Sequence, residues 1–266
     1  MIQGNLNNEP LSNRTELGLM EVYKKIFGMH DAFMPVTNDL RFLFSTSAFE
    51  IKSGDKTQFV AERSAVKVHP GTEVKLNMEK GARLYEIVLH ADEQKMIHKL
   101  QKEHYDFFNS LDGVDKQEWD QVANAGMDYV IPSERNSQDM IKMPGIIIAP
   151  SYSRHNKHTN TGWNFMYARA SKALSVGSDL IFKVRSEEIA HSHNIISESY
   201  VCLGGSLELM LDEEKTSLRE GDYLITTPGE NHRIVSLPEV PYKGLTLQFP
   251  SIPGDRYDES GEKIKR

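Results

Sequence analysis

Short extended runs of residues, each closed by a turn signal, occupy two stretches of the chain and restrict its fold more than any other feature. The first stretch has runs at 41–44, 48–51, 58–60, 65–68 and 84–89. The second has runs at 146–148, 163–168, 180–184, 198–203, 206–211, 222–226, 233–235 and 245–249. Strands this short, at this spacing, are typical of a β-sandwich or a β-barrel. The sequence therefore predicts a mainly β fold.

Helical periodicity is found outside these runs. Apolar residues at near-helical spacing follow Asn13 and predict an N-terminal helix that ends at Gly28. Residues 92–111 predict an amphipathic helix with its apolar residues on one face, and a second helical piece is expected at 116–125.

These patterns divide the chain into parts. A chain of 266 residues is long enough to bury a core in each of two β domains. The predicted parts are an N-terminal tail and helix (1–29), a first β domain (30–91), a helical connection and linker (92–143), a second β domain (144–252) and a loose charged tail (253–266).

The composition excludes several classes of function. The net charge is −7 and no basic block is present, so nucleic-acid binding is not expected. No apolar run approaches the roughly 20 residues needed to cross a bilayer, and the polar segment 1–10 is not a signal peptide. The single cysteine, Cys202, cannot form an internal disulfide, which fits a reducing compartment. The sequence therefore predicts a cytoplasmic protein without a membrane or nucleic-acid partner.

Histidine and glutamate side chains gather at the start of one predicted strand. His191 and His193 are two residues apart, so in an extended chain both imidazoles face the same point. A turn separates them from Glu198, which opens the next run. His232 follows a Pro-Gly turn and can bring a further imidazole to the same place. These residue types at this spacing predict a site for one divalent transition metal per chain.

The predicted ligand set is chemically permissive. Imidazole and carboxylate suit iron, manganese, nickel, cobalt, copper or zinc without choosing among them. On an octahedral ion, three histidines and one carboxylate would leave two positions for water, O₂ or a chelating substrate. The alternative is that His191 and His193 are a surface pair on an ordinary strand and that His232 is a turn residue.

Residues 163–250 resemble the cupin superfamily, whose two motifs are G-x5-H-x-H-x3-4-E-x6-G and G-x5-P-x-G-x2-H-x3-N. The resemblance implies a double-stranded β-helix, or jelly-roll, barrel and a homodimer as a common assembly. The matching residues are His191, His193, Glu198 and Gly205 in the first motif and Gly221, Gly229 and His232 in the second. The departures are Arg185, Thr227 and Ser236, none of which is a ligand position.

A weak repeat predicts that the first β domain is a second cupin-like barrel. A shift of 158 positions places Pro228 on Pro70, and the same shift places Glu208 on Glu50, Leu209 on Ile51, Leu224 on Val66 and Ile234 on Leu76. In this register the four ligand positions fall on residues that cannot bind a metal through their side chains. Those residues are Phe33, Pro35, Leu40 and Val74. The sequence therefore predicts a degenerate first domain and a metal only in the second.

Five further residues are candidates for the lining of the site. Tyr200, on the inward face of its strand, could move a proton or simply pack as a buried aromatic. Cys202 could line the cavity or be an inert buried thiol. Arg169 and Lys183 could bind a substrate carboxylate, with exposure to solvent as the alternative for each. Gln248 is a polar lining candidate near the end of the barrel.

By resemblance, the chain is expected to be a metal-dependent enzyme, although this superfamily carries out many different reactions. Because two coordination positions stay open, an Fe(II)-dependent oxygenase acting on a small organic acid or related metabolite is favoured. Glu198 would be a ligand and, if it dissociated, a proton acceptor. Manganese, nickel or zinc would suit the alternative of a non-redox lyase or isomerase in which Tyr200 moves a proton. A third alternative is a small-molecule binding or sensor protein without turnover.

Overall fold

Each half of the chain forms a β-barrel from one seven-stranded sheet and one smaller sheet. The computed structural model describes residues 2–28, 31–111, 141–149, 152–153, 163–169, 171–181, 189–237 and 240–264. The fold is mainly β, as predicted, and consists of two jelly-roll barrels of the double-stranded β-helix type.

The strands of the first half are β1 (Ile2–Asn5), β2 (Leu11–Thr15), β3 (Gly18–Ile26), β4 (Asp31–Met34), β5 (Leu40–Ser45), β6 (Phe49–Ser53), β7 (Lys56–Val60), β8 (Ala65–Val68), β9 (Val74–Asn77) and β10 (Arg83–His90). Two helices follow, α1 (Glu93–Glu103) and α2 (Tyr105–Asn109). The later strands are β11 (Ile141–Met143), β12 (Ile146–Ala149), β13 (Tyr152–Ser153), β14 (Trp163–Arg169), β15 (Ser175–Ile181), β16 (His191–Ser192), β17 (Ser197–Gly204), β18 (Ser206–Leu211), β19 (Glu214–Arg219), β20 (Asp222–Thr226), β21 (His232–Ser236), β22 (Tyr242–Phe249) and β23 (Tyr257–Asp258).

The two barrels share one strand order. The large sheets run β11-β12-β8-β5-β10-β3-β2 in the first barrel and β1-β20-β17-β22-β15-β14-β13 in the second. The smaller sheets run β7-β6-β9-β4 and β19-β18-β21-β16-β23. When β12 is aligned with β1 in the large sheets and β7 with β19 in the smaller ones, β5 corresponds to β17, β8 to β20, β9 to β21 and β4 to β16. The fold is therefore duplicated, as the repeat in the sequence predicts.

Each barrel completes its large sheet with a strand from the other half of the chain. β1 pairs antiparallel with β20 of the second barrel, and β12 pairs antiparallel with β8 of the first. The exchanged strands cover backbone groups that would otherwise form an open sheet edge. The predicted domain limits are therefore wrong at two places, because residues 2–5 belong to the second barrel and residues 141–149 to the first.

Successive side chains along a strand point to opposite faces of the sheet. The buried residues therefore form an interior in each barrel and a layer between the two barrels. In β5, Leu43 faces the interior of the first barrel, whereas Phe42 and Phe44 belong to the cluster shared by the two large sheets. Val201 and Leu245 of the second barrel belong to the same shared cluster. Burial on both faces explains why these strands lack a polar face.

The predicted N-terminal helix is wrong, because residues 11–26 form the hairpin β2–β3. In β3, Met20 and Val22 are fully buried while their neighbours are only partly covered, which is the two-residue period of a strand. Asn13, expected to cap a helix, is buried and donates a hydrogen bond to Ser197 Oγ at 2.9 Å. The ladder between β3 and β10 outweighs the near-helical spacing of the apolar residues.

The helix predicted over 92–111 is confirmed as α1 and α2. Asp92 caps α1 by accepting a hydrogen bond from the Lys95 backbone N–H at 3.0 Å. Met96 and Leu100 bury one face of the helix. The helical piece expected at 116–125 lies outside the described residues. Within the described ranges, no helix has both the length and the apolar character needed to span a bilayer.

Strand pairing corrects the alignment of the two barrels by one residue near the ligand positions. In the first barrel Met34 pairs with Val74, as His191 pairs with His232 in the second. Met34, rather than the predicted Phe33, therefore occupies the position of His191. The cause is a bulge near the end of β17, which adds one residue to the second barrel. The shift of 158 positions holds beyond the bulge and is one residue smaller before it.

The same correction places Arg41, rather than the predicted Leu40, at the position of Glu198. Arg41 is 1% exposed, and its Nη1 lies 3.4 Å from Glu86 Oε1. Glu86 also forms an ion pair with Lys25 Nζ. A buried guanidinium and its carboxylate thus lie in the first barrel where the second barrel places a glutamate beside histidines.

Removal of the Glu86 charge should destabilise the protein far more than removal of Lys25. Glu86→Leu leaves Arg41 buried without its carboxylate, so the free energy of unfolding should fall by about 3–5 kcal/mol. Lys25→Ala removes a partner whose side chain is 40% exposed and should cost less than about 1 kcal/mol. Urea unfolding measures both values. Equal losses would contradict the role of Glu86 as the counter-ion of Arg41.

Candidate metal centre

The His-x-His segment forms a two-residue strand held between two others. β16 pairs with β21 on one side, which places His191 directly opposite His232, and with β23 on the other. The ring centroids of His191 and His232 are 4.3 Å apart. The His193 centroid lies 5.3 Å from that of His191 and 5.4 Å from that of His232. Three imidazoles therefore share one end of the second barrel.

Glu198 reaches the same point from the large sheet, near the start of β17. Its Oε2 lies 3.0 Å from His232 Nε2 and 3.6 Å from His193 Nε2. One ligand-type atom from each of His191, His193, Glu198 and His232 lies within 4.8 Å of the others, and all four residues are buried. The structure thus brings together the four residues that the sequence predicts as ligands.

Two glycines of the motifs are required by the turns around the site. Gly229 has a φ of 90°, and its N–H donates to the carbonyl oxygen of His193 at 2.8 Å. Gly205 has a φ of 74°, and a Cβ atom there would lie 2.1 Å from the carbonyl oxygen of Pro241. Glycine adopts both conformations without strain, and at Gly205 it alone also fits the close approach of the carbonyl group.

Backbone carbonyl groups orient all three imidazoles. In each ring Nδ1 lies next to a carbonyl oxygen: His191 next to Ile189 O at 3.3 Å, His232 next to Glu230 O at 3.1 Å, and His193 next to Asp255 O. A proton on Nδ1 leaves the lone pair of Nε2 free to face the centre. This is the usual arrangement of metal-binding histidines.

The residues present fit a divalent metal ion. His193 Nε2 is buried and has no hydrogen-bond partner among the described residues. A buried polar atom of this kind is costly unless it is satisfied. A cation between the four side chains would satisfy that nitrogen and compensate the charge of Glu198. Imidazole nitrogen and carboxylate oxygen together suit divalent transition metals.

Burial and neighbouring charges set the protonation of the cluster. Burial, followed by the charge of Arg256, lowers the pKa of His191 to about 2. Burial opposes protonation of His193, but the nearby carboxylate of Glu198 and the carbonyl oxygen of Asp255 outweigh it and raise the pKa of His193. Burial also opposes ionisation of Glu198, yet the adjacent imidazoles of His193 and His232 hold its pKa well below the usual value. Glu198 is therefore an anion, the form in which a carboxylate binds metal.

Tyr200 and Gln248, both predicted in the lining, contact the two oxygens of Glu198. Tyr200 donates its hydroxyl hydrogen to Oε2 at 2.7 Å, and Gln248 Nε2 donates to Oε1 at 2.9 Å. Ser175 Oγ donates in turn to Gln248 Oε1 at 3.2 Å. No motif in the sequence marks Ser175. A chain of hydrogen bonds thus leads from the ligand carboxylate along the barrel wall.

Of the other three predicted substrate contacts, the structure describes the side chain of Cys202 alone. Cys202 lies further along β17, with Sγ 3.6 Å from the carbonyl oxygens of Gly204 and Gly205. Burial raises the pKa of its thiol to about 12, which favours the inert role. Arg169 ends β14, but its side chain lies outside the described residues, as does the whole of Lys183.

The tail after residue 252, predicted to be loose, is packed against the ligands. Asp255 is 1% exposed, and Arg256 Nη2 lies 3.0 Å from His191 Nδ1. β23 adds backbone pairing with β16. The sequence does not reveal this packing, because a charged segment after the last long strand has no period that distinguishes it from a solvated tail.

Comparison with known sequences identifies a family match in the second half of the chain. Residues 180–246 match the cupin domain family. An uncharacterized protein of Methanocaldococcus jannaschii is 32% identical over 73 residues, which is 27% of this chain and 58% of that protein. The chain thus spans 58% of the length of the curated relative that it matches.

Solved structures with the same fold cover nearly the whole chain. An oxalate decarboxylase has a TM-score of 0.57 at 10% identity, over 97% of this chain and 79% of that chain. A variant of the Bacillus subtilis oxalate decarboxylase has a TM-score of 0.56 with the same identity and coverage, and another structure concerns the Mn(II) centres of that enzyme. Vicilin from Corylus avellana has a TM-score of 0.54 at 12% identity, over 96% of this chain and 87% of that chain. At these identities the likeness shows the fold alone.

The purified protein should contain about one transition metal ion per chain, since one closed ligand set is present among the described residues. His191→Ala and His232→Ala should each remove most of this metal. His98→Ala, which changes an exposed histidine on α1, is the matched control and should retain it. Elemental analysis measures all four proteins. Full metal content in both ligand variants would contradict the site.

Proposed function

We propose, from the premise that the chain is a bicupin-like protein of the cupin superfamily, that its second barrel is the active site of a metal-dependent enzyme for a small organic acid or related metabolite. The observation that carries the proposal is the buried group of His191, His193, Glu198 and His232. Ligand-type side chains enclosed in a barrel provide a largely dry pocket, which is where a bound metal is chemically most effective.

We infer that the ion is one divalent transition metal per chain. Fe(II) is favoured because a site with two open positions can hold substrate and O₂ together. Mn(II) is supported by the similar fold of the Bacillus subtilis oxalate decarboxylase, whose Mn(II) centres have been characterised, while nickel and zinc also suit the ligand types. Once bound, such a metal supplies Lewis acidity and a meeting point for the reactants.

The chain's own residues hold the ligand carboxylate in one orientation. Tyr200 and Gln248 each engage a different oxygen of Glu198, so the carboxylate is restrained at both ends. Tyr200 also places a phenolic hydroxyl next to the predicted metal position. Through this hydroxyl it can donate a proton to a bound substrate or hold one of its oxygens.

The leading candidate reaction is oxygen-dependent. Protein loaded with Fe(II) should consume O₂ only when its substrate is present, as measured with an oxygen electrode over a panel of small carboxylic acids. The His191→Ala variant should show no consumption, because it cannot assemble the ligand set. Turnover of the same acid without O₂ would contradict an oxygenase. No conversion under either condition would contradict an enzyme.

A non-redox lyase or isomerase is the second candidate, favoured by the contact between Tyr200 and Glu198. In this reaction Tyr200 moves the proton, so Tyr200→Phe should lower kcat by about 10²- to 10⁴-fold and leave the metal content unchanged. Tyr242→Phe is the matched control, because this buried tyrosine of the same barrel contacts Val201 O rather than the ligands. Equal kcat values in the wild type and Tyr200→Phe would exclude Tyr200 as the proton carrier.

Three further features of the proposal follow from the sequence. Arg169 and Lys183 are proposed as contacts for a substrate carboxylate, and a raised KM in Arg169→Met or Lys183→Met would support this. A homodimer is proposed by resemblance, and its mass in solution would test it. The cytoplasm is proposed as the location because the single cysteine, Cys202, is free and buried, and cell fractionation would test it.

A further inference from the structure

Asp255 is not one of the four ligand-type residues, yet it contacts both His193 and the turn that leads from His193 to Glu198. We propose that Asp255 is a positioning residue that fixes His193 and Glu198 relative to each other and thereby sets the metal affinity of the site. This inference rests on the proposed metal binding. It goes further by assigning a role to a segment that the motifs do not include.

The carboxylate of Asp255 binds the turn between the ligands. Asn194 N–H donates to Oδ1 at 3.0 Å, and Ile195 N–H and Ile196 N–H donate to Oδ2 at 2.9 Å each. Hydrogen bonds to an ionised acceptor are about twice as strong as neutral ones. Three consecutive N–H groups directed at one carboxylate therefore hold the turn in a single conformation.

The backbone of Asp255 acts on one of the ligands directly. Its carbonyl oxygen accepts the hydrogen bond from His193 Nδ1, which directs Nε2 of that ring towards Glu198. One residue thus holds the imidazole through its main chain and the following turn through its side chain. Glu198 lies two residues after Ile196. A change in the conformation of the turn would therefore displace the carboxylate ligand.

The neighbours of Asp255 support the same strand in different ways. β23 pairs with β16 through the backbone, so it helps to keep His191 in register. Arg256 Nη2 approaches His191 Nδ1, which must carry a proton when Nε2 binds a metal. Two donors cannot share a hydrogen bond. The support for a metal-bound site therefore comes from Asp255 and β23 rather than from the Arg256 side chain.

Because of thermodynamic linkage, the role of Asp255 can be measured either as metal affinity or as the stability of the Asp255 contacts. If Asp255 raises the affinity of the site for metal, metal must stabilise the contacts of Asp255 by the same free energy. Metal binding should therefore slow amide exchange in the turn 194–196 and in the segment 255–258 together.

The decisive variant is Asp255→Asn, which keeps the size and the backbone carbonyl but removes the charge and turns an amide N–H towards a donor. Mn(II) and Fe(II), each alone, should bind about 10- to 100-fold more weakly in competition with a chelator. The spectrum of bound Mn(II) should also change, because it reports the arrangement of the ligands, which a general loss of stability would not alter.

Asp222→Asn is the matched control. Asp222 lies in the same barrel, in β20, and its carboxylate also holds backbone in place, because Oδ2 accepts a hydrogen bond from Arg219 N–H at 2.8 Å. Its Oδ1 accepts a second hydrogen bond, from Asn5 Nδ2 at 2.7 Å. Neither bond involves a ligand or the turn 194–196, so metal affinity should be that of the wild type.

The possible results distinguish a failure of the metal site from a failure of the role of Asp255. Wild-type protein that binds neither ion would overturn the metal site and this inference with it. Wild-type binding with equal affinity in Asp255→Asn would overturn the role of Asp255 alone. Should Asp255→Asn fail to fold, hydrogen exchange of the wild type with and without Mn(II) tests the role of Asp255 instead. Slowing in 194–196 without slowing in 255–258 would then overturn the proposal.

Discussion

A charge buried inside a barrel must be compensated by partners, and this requirement organises both halves of the protein. In the second barrel the charge is the carboxylate of Glu198, which accepts hydrogen bonds from a phenol and an amide and lies beside the imidazole of His232. In the first barrel the equivalent position holds Arg41, which is compensated by Glu86. The duplicated fold therefore keeps an ionic group at one interior position while its sign and partners differ. Within the part of the chain that the structure describes, it is the arrangement around Glu198 that directs imidazole nitrogens at a common point.

The two barrels are linked closely enough to be regarded as one structural unit. Each large sheet contains a strand from the other half of the chain, so neither sheet is complete without both halves. Arg63 of the first barrel adds a direct contact with the second, since its Nε and Nη2 donate to Oγ and O of Ser178 at 2.7 Å each. Ser178 lies in β15, the neighbour of the strand that carries Gln248. The first barrel thus braces one wall of the candidate site.

The sequence was sufficient to predict the β class, the duplication, the helix after the first barrel and the four side chains that meet in the second. These features depend on local alternation and on motif spacing, which one sequence displays directly. The strand exchange was missed, because pairing between distant segments leaves no local pattern. The N-terminal hairpin was mistaken for a helix, since short apolar segments such as 20–27 fit both periods. The alignment of Phe33 and Leu40 failed by one residue because a β-bulge cannot be read from composition or periodicity.

The role of Asp255 is not predicted from the sequence, for a different reason. An aspartate in a charged terminal segment is most often solvated, and only the folded chain reveals that it accepts three N–H groups beside the ligands. Residues that orient ligands are selected by the backbone geometry they stabilise, which differs from one loop to another. They therefore have no fixed spacing comparable to that of the ligands themselves.

The contacts of Glu198 also favour one of its two suggested roles over the other. Two donors, Tyr200 and Gln248, approach its two oxygens at 2.7 Å and 2.9 Å. Donors that stabilise a carboxylate anion make it a weaker base, so they favour a fixed ligand over a proton acceptor. Any proton moved during turnover is then carried more readily by the Tyr200 hydroxyl. Under the proposed function, the type of reaction would accordingly be decided less by the four ligands than by the groups that hydrogen-bond to them.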